Sequence, residues 1–488
     1  MTGVAAILLS LLLLMYLAYR GLSVLLLAPL LAVLAALLSQ DVPVLASYTQ
    51  VFMKALGNFV VLYFPLFLLG AIFGKLMEAS GAAATIARWI IDILGTSRAV
   101  LAVVLACAIL TYGGVSLFVV AFGVYPVASA LFRESGVPRR LIPAAIALGA
   151  FTFTMTALPG TPAIQNAIPM PYFGTTPFAA PGLGVIASII MFAVGLAWLT
   201  YRARGAQASG ERHGDVATHD RKPEEDVPAI DRSLRPMAHG EGYDLAEIGA
   251  GSLGRPGIVV ALLPIVLVVA LNYVFSRIVF PSMDASYLAQ ARYGGVTIDQ
   301  VAGVWSIICA LLAANVVLLV LNRHRLPGVR RMLDDGASAS ALPIFNTASL
   351  VGFGAVIASL PAFALIRDAV LDIAPGNPLI SLSIAVNMLA GITGSASGGM
   401  SIALQTLGPA YLEMARSAGI DPALLHRVAA IATGGLDSLP HNGAVITLLS
   451  ICKFDHRQAY PDIFAVAVVG PLVALAVVVA LGTWLGAF

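Results

Sequence analysis

Residues 434–447 read GGLDSLPHNGAVIT, inside a stretch whose flanks are nearly all Ala, Val, Ile and Leu. Asp437, Ser438, Pro440, His441 and Asn442 in one short run leave two readings. The run is a loop outside a membrane, or it is a polar break buried within one. The flanks take the first step. Of 488 residues, 59% are hydrophobic and 11% are charged, against roughly 25% charged in a soluble domain. Mean hydropathy is +0.93. Apolar runs near the ~20 residues that span a bilayer recur along the whole chain. The sequence therefore predicts an all-α polytopic membrane protein. A net charge of +2 says little about partners. Three cysteines, Cys107, Cys309 and Cys452, lie scattered in or beside apolar segments, which argues against a disulfide framework and shows no metal spacing. The N-terminus, MTGVAAILLSLLLLMYLAYRG, lacks the basic region of a cleaved signal peptide and reads as the first spanning helix.

One segment differs from the rest. Residues 202–255 hold eight basic and ten acidic residues and three of the seven histidines, the composition of a polar, loosely ordered linker. Nothing beyond composition favours a metal role for His213, His219 and His239. The linker separates a first membrane repeat, 1–201, from a second, 256–488. GGVSL at 113–117 matches GGMSI at 398–402, GVP at 136–138 matches GIDP at 419–422, and the Leu-Pro at 158–159 matches that at 439–440. GAIFGKLM at 70–77 pairs loosely with GAVIASLP at 354–361. The offsets of 285, 283, 281 and 284 predict an internal duplication, a recurrent sign of secondary transporters.

Each half contains seven hydrophobic elements. They lie near 4–19, 22–39, 56–77, 98–111, 115–132, 140–168 and 183–201, then near 257–280, 301–322, 342–366, 379–393, 399–415, 423–451 and 462–486. An odd number per half inverts the second copy. Loop charge agrees when the linker is cytoplasmic. The loops holding Arg20, Arg88, Arg98, Arg133, Arg139 and Arg140, with NRHRLPGVRR at 322–331 and CKFDHR at 452–457, are then cytoplasmic and basic. The predicted outer loops 40–55, 169–182 and 281–298 together hold one arginine. Arg367, Arg416 and Arg427 fall on the outer side as exceptions. Both termini then lie outside the cytoplasm of a bacterial cell, with the chain in its cytoplasmic (inner) membrane.

The opening stretch has a first-half counterpart, TFTMTALPGTPAIQNAIP at 152–169. Both copies break an apolar helix, at Pro159 and at Pro440, and surround the break with hydroxyls and amides. Freed backbone groups in lipid cost several kcal/mol each, so such breaks persist only when buried in protein or lining a cavity. Two breaks at matching positions point to a midplane site, and half-helix N-termini there favour an anion. A second polar pair, TYGGVS at 111–116 and TGSASGGMS at 393–401, reads as two re-entrant hairpins or tight turns at membrane depth. In them Gly113, Gly114, Gly398 and Gly399 allow close backbone approach, and Ser116, Thr393, Ser395, Ser397 and Ser401 offer hydroxyls. Small-residue helix packing is the plainer account of one such glycine pair alone, and duplication of the set favours a site.

Asp437 alone among the acidic residues sits well inside a membrane element, four residues before His441. An ionisable residue at that depth is a functional hypothesis by default, and histidine suits proton coupling. A local hydrogen bond that only steadies the break is the other reading, and both stay open. No basic residue lies in either break, so a substrate anion would meet N–H groups, hydroxyls and amides. That favours a small monoanion, because each further buried charge needs compensation.

GGVSLFVVAFGVYPVASALFRESGVPRRLIPAAIALGAFTFTMTALPGTPAIQN and GGLDSLPHNGAVITLLSICK resemble the gluconate permease (GntP) family, over nearly the whole chain. The resemblance implies proton-coupled uptake of sugar acids and related hydroxy acids. It also implies membership of a superfamily with inverted repeats, re-entrant hairpins and often an elevator-like movement. Gluconate carriers of the family have a His-x-Asn-Asp run where this chain has His441-Asn442-Gly443. LPHNGAVITLL and GEGYD are more similar to the branch labelled 3-hydroxybutyrate permease, which implies 3-hydroxybutyrate or lactate rather than gluconate. The expected substrate-binding set is Gly113, Gly114, Ser116, Thr156, Gly160, Thr161, Gln165 and Asn166 from one half. Ser397, Gly398, Gly399, Ser401, Ser438, His441, Asn442 and Thr447 come from the other, with Asp437 and His441 for the proton.

The sequence thus reads as a secondary carrier of a small organic monocarboxylate coupled to H⁺, with Na⁺ as the alternative ion. No cofactor is expected, no nucleic acid is a partner, and a homodimer is left open. A membrane enzyme using Asp437, Ser438 and His441 lacks an evident oxyanion hole or metal. A passive channel usually assembles its pore around an axis, whereas this chain holds its repeat internally. No P-loop pattern supports ATP coupling.

Overall fold

The computed structural model describes residues 2–20, 22–39, 42–209, 211, 255–326, 328–374 and 376–488. The linker expected at 202–255 falls almost wholly outside the described residues. The first half runs α1 (Thr2–Tyr19), α2 (Val24–Leu38), α3 (Val44–Ala46), α4 (Met53–Ala79), α5 (Ala82–Leu94), α6 (Ala99–Tyr112), α7 (Leu117–Glu134), α8 (Ile142–Ala150), α9 (Phe153–Thr156), α10 (Ile164–Ala167), α11 (Pro169–Phe173) and α12 (Pro181–Ala208). The second runs α13 (Ile258–Val274), α14 (Phe280–Ser282), α15 (Ile298–Asn322), α16 (Val329–Ser359), α17 (Phe363–Leu371), α18 (Pro378–Thr393), α19 (Ala396–Ser417), α20 (Pro422–Leu436), α21 (Gly443–Cys452), α22 (His456–Phe464) and α23 (Gly470–Leu485). No strand occurs among the described residues.

All fourteen apolar elements expected from the sequence are helical. Among the described residues seven helices are long and apolar enough to cross a membrane, or eight when the pair bent by 103° at 94–96 counts as one span. Apolar side chains such as Val61, Val259, Ile189 and Trp484 stand exposed on these helices, as lipid-facing residues must. Two further helices of nine residues or more follow α4 and α16, the second of them overlapping the end of the element expected at 342–366. One, α5, buries Ala83, Ile86, Ala87, Ile90 and Ile91 on one face, the spacing of an amphipathic helix. The other, α17, follows α16 as α5 follows α4. Two helices overrun the expected bounds: α16 starts thirteen residues before 342, and α12 continues seven residues past 201.

The longest contact in the molecule runs between α4 and α16, which occupy corresponding places in the two halves. A Cβ at Gly336 would sit 3.0 Å from Ile72 Cα, so the two backbones nearly touch there. Around this pair stand α6–α7 and α18–α19, each a helical hairpin with a short polar tip. Gly114 (φ 92°) and Gly394 (φ 60°) make the two reversals. A Cβ at Gly399 would lie 2.3 Å from Ala390 Cα, so α18 and α19 pack backbone to backbone. One continuous core joins both halves, and α1 and α2 form a smaller one against α16 through Ile7, Leu14, Leu31, Phe353 and Ile357.

Candidate functional site

The first break separates α9 from α10. Helix geometry no longer satisfies its carbonyls, and side chains from elsewhere do. Ala157 O accepts from Arg427 Nη1 at 3.1 Å, Pro159 O from the Tyr112 hydroxyl at 2.7 Å, and Gly160 O from Asn272 Nδ2 at 2.9 Å. Ser306 Oγ holds Asn272 Oδ1 at 2.9 Å. Thr161 O accepts from Asn166 Nδ2 at 3.0 Å. Gly160, at φ 79°, donates its N–H to Pro177 O at 2.9 Å.

The second break separates α20 from α21 and is tied differently. Pro440 O accepts from His456 Nε2 at 2.8 Å and Ser438 O from the Tyr460 hydroxyl at 3.2 Å, both on α22. His441 Nε2 donates to Gly391 O at 2.9 Å, and Asn442 Nδ2 to Gly394 O at 2.8 Å. These two bonds fasten the break to the tip of the α18–α19 hairpin. Asn442 also caps α21, its Oδ1 accepting from Ala444 N at 2.6 Å and Val445 N at 3.1 Å. Asp437 follows the last turn of α20, and its Oδ1 accepts from Ser438 Oγ at 3.1 Å.

Between the breaks lies a small cavity of about 40 Å³. Met155, Thr156 and Gln165 line it from the first break, Asp437, Ser438 and Asn442 from the second, and Ser395 and Ser397 from the second hairpin. Leu117 and Phe118 at the start of α7 complete that wall. Three helices of ten residues or more, α7, α19 and α21, thus present their first residues to one cavity. Each brings the positive end of a helix dipole, with the first N–H groups of α21 capped by Asn442 and that of Gly398 in α19 by Ser395. Gln165, 6% exposed, has an Oε1 with no hydrogen-bond partner among the described residues.

Of the expected substrate set, Thr156, Gln165, Ser397, Ser438 and Asn442 reach this cavity, together with Asp437. Gly114 and Ser116 line a neighbouring cavity with Thr111, Gly70, Ser340 and Pro343, which shares Leu117 and Met155 with the first. The remaining residues do other work. Gly113, Gly398 and Gly399 sit where a Cβ would strike Ile265, Leu350 and Ala390. Gly160, Thr161 and Asn166 hold the first break in shape, and His441 holds the second to its hairpin. Ser401 and Thr447 are buried on helices α19 and α21, away from the cavity wall.

Two buried groups escape sequence reasoning. Arg427, expected on the outer side, is 0% exposed inside α20 and reaches the first break. The positive-inside rule counts loop residues, so a buried arginine is no exception to it. His426 beside it bonds Thr175 Oγ1 through Nδ1 at 2.6 Å and Asn166 Oδ1 through Nε2 at 3.1 Å. Asp462, 1% exposed, gathers Arg140 at 2.9 Å, Arg202 at 2.8 Å and Trp198 at 3.0 Å. Arg140 also meets Glu211 at 2.7 Å, and that bond holds its guanidinium above the ordinary arginine range against its partial burial.

A many-span helical protein with paired broken helices around a buried polar cavity is a membrane transporter rather than an enzyme. Two comparisons place it further. The sequence pattern of the GntP family permease matches residues 1–237. A Bacillus subtilis (strain 168) protein described as "Uncharacterized transporter YxjC" is 42% identical over 478 residues, covering 97% of each chain. The chain belongs to the GntP permease family.

Proposed function

We propose that this transporter is a secondary carrier that takes up a small hydroxy-carboxylate anion with a proton, across a bacterial cytoplasmic membrane. The observation that carries this reading is the convergence of the α7, α19 and α21 N-termini on a cavity that Asp437 also lines. Helix N-termini and hydroxyls suit one carboxylate, and the remaining hydroxyls and Gln165 suit a hydroxyl on the substrate. The resemblance of the LPHNGAVITLL run favours 3-hydroxybutyrate or lactate over gluconate. Asp437 takes the proton when the anion binds and releases it on the far side. The two halves are inverted copies, the linker and the basic loops are cytoplasmic, and α4 with α16 forms the scaffold past which the site moves. Na⁺ coupling is the second reading. It is favoured by the buried hydroxyls of Thr111 and Ser116, which have no hydrogen-bond partner among the described residues and lie at the neighbouring cavity.

The experiment is uptake of labelled (R)-3-hydroxybutyrate into proteoliposomes under an inward proton gradient without Na⁺, with gluconate and lactate as competitors. Accumulation above equilibrium that a protonophore abolishes supports the proton reading. Uptake seen only with Na⁺ transfers the coupling to that ion, and uptake of gluconate alone moves the substrate.

A further inference from the structure

We infer that Arg427 is the fixed positive charge against which the transported carboxylate is balanced, with Asp437 taking the same part when the site is empty. The inference rests on the anion-carrier reading above and adds a charge rule to it. Arg427 is the largest fully buried side chain of the protein. Among the described residues no carboxylate lies within 4.0 Å of its guanidinium. Its partners are neutral oxygens: Ala179 O at 2.7 Å and 3.0 Å, Ala157 O at 3.1 Å, Asn166 Oδ1 at 3.4 Å and Pro177 O at 3.5 Å. Carbonyl dipoles solvate the ion but do not cancel its charge. A buried ion of this kind calls for an opposite charge nearby.

The cavity between the breaks offers room for that charge. Ala157 and Asn166, which the guanidinium bonds, are chain neighbours of Thr156 and Gln165 on the cavity wall. One residue step is about 3.8 Å, so an anion in the cavity stands roughly 8 Å from the guanidinium. At that distance, with an effective dielectric of about 20, a unit charge changes anion affinity about thirtyfold. Arg427 touches no ligand in this arrangement. It acts through the wall, and His426 and Thr175 hold Asn166 in line with it.

The charges then add simply. The empty site holds Arg427⁺ and Asp437⁻. The loaded site holds Arg427⁺, the substrate anion and a protonated Asp437. Both sums are zero, and every other combination leaves a net charge inside the membrane, which opposes movement. One proton therefore accompanies one monoanion.

The test uses the full chain in proteoliposomes, with labelled (R)-3-hydroxybutyrate as probe, and measures both equilibrium exchange and net uptake. In Asp437→Asn the loaded site stays neutral and the empty one does not, so exchange persists and net uptake is lost. In Arg427→Gln the half-saturation concentration for exchange rises about thirtyfold, and Arg427→Lys recovers most of it. A purely structural arginine predicts no such rescue by a side chain that lacks its planar fork. Uncharged 3-hydroxybutyramide competes poorly with wild type and loses little further in Arg427→Gln. An Arg427→Gln protein that binds within about threefold of wild type overturns the charge role. Should that variant not fold, amide and carboxylate competing equally against wild type overturn it as well. Uphill accumulation by Asp437→Asn sinks the proton step of the carrier reading while leaving the Arg427 measurement interpretable.

Discussion

The two helix breaks solve one problem in opposite ways. At the first, the carbonyls of Ala157, Pro159, Gly160 and Thr161 are met by Arg427, Tyr112, Asn272 and Asn166, three of these donors fully or nearly fully buried. The donors come from α20, α6 and α13 as well as from the break itself, so half the molecule clamps it. At the second, the ties run to one helix, α22, and to one hairpin tip, through His456, Tyr460, His441 and Asn442. Few elements hold it, and Asp437 sits at its edge. On the proposed reading the first break is the fixed wall and the second the part that changes with protonation and load.

Four substitutions break or sharpen that contrast. The largest effect is expected from Asn166→Leu. It strips donors from Thr161 O and Pro177 O and an acceptor from Arg427 and His426, at about 1–3 kcal/mol for each buried group left unmet. Thermal unfolding in detergent should show the protein failing to fold or melting far below wild type; an unchanged melting point would mean the first break is not clamped. Next comes the glycine pair. Gly399→Ala drives a Cβ to 2.3 Å from the Ala390 backbone and should part the second hairpin, with heavy loss of folded protein. Gly114→Ala places its Cβ 3.1 Å from Pro162 Cγ in a left-handed conformation, a strain of about 1–2 kcal/mol. Equal expression and stability of the two variants would contradict the packing described for α18 and α19. The smallest stability effect belongs to the second break. Tyr460→Phe removes one hydrogen bond, to Ser438 O, and should cost about 1 kcal/mol. Initial uptake should nevertheless fall about tenfold, because the reacting wall is misplaced. Loss of stability without loss of uptake would assign Tyr460 to the scaffold.

Much of this was legible in the sequence because lipid tolerates so little. Pro159, Pro440 and the hydroxyls around them stand out from Ala, Val and Leu, and the breaks, the hairpins and all fourteen apolar elements follow from that contrast. What stayed hidden depends on distance along the chain. Arg427 reads as an outer-side arginine because its acceptors at 157, 166, 177 and 179 lie about 250 residues away. A hint was present: an arginine within VAAIATGG-type apolar sequence, one residue after a histidine, is as conspicuous as Asp437. The glycines left a ligand loop and helix packing both open, and the 2.3 Å approach to Ala390 shows Gly399 packed against α18. The amphipathic α5 escaped a search for continuous apolar runs, since its buried residues recur at helical spacing rather than in one block.

The central claim is that the anion binds between the two breaks, and chemical protection tests it directly. Cys107, Cys309 and Cys452 are free thiols, so they are first replaced by alanine. Single variants Ser438→Cys and Gln165→Cys then probe the proposed cavity, and Ala339→Cys probes its neighbour. Each reacts with N-ethylmaleimide in the presence and absence of (R)-3-hydroxybutyrate. The account predicts that the ligand, well above its half-saturation, slows Ser438→Cys and Gln165→Cys by at least about fivefold and leaves Ala339→Cys unchanged. Protection of Ala339→Cys with none at Ser438→Cys would contradict it and move the site to the neighbouring cavity.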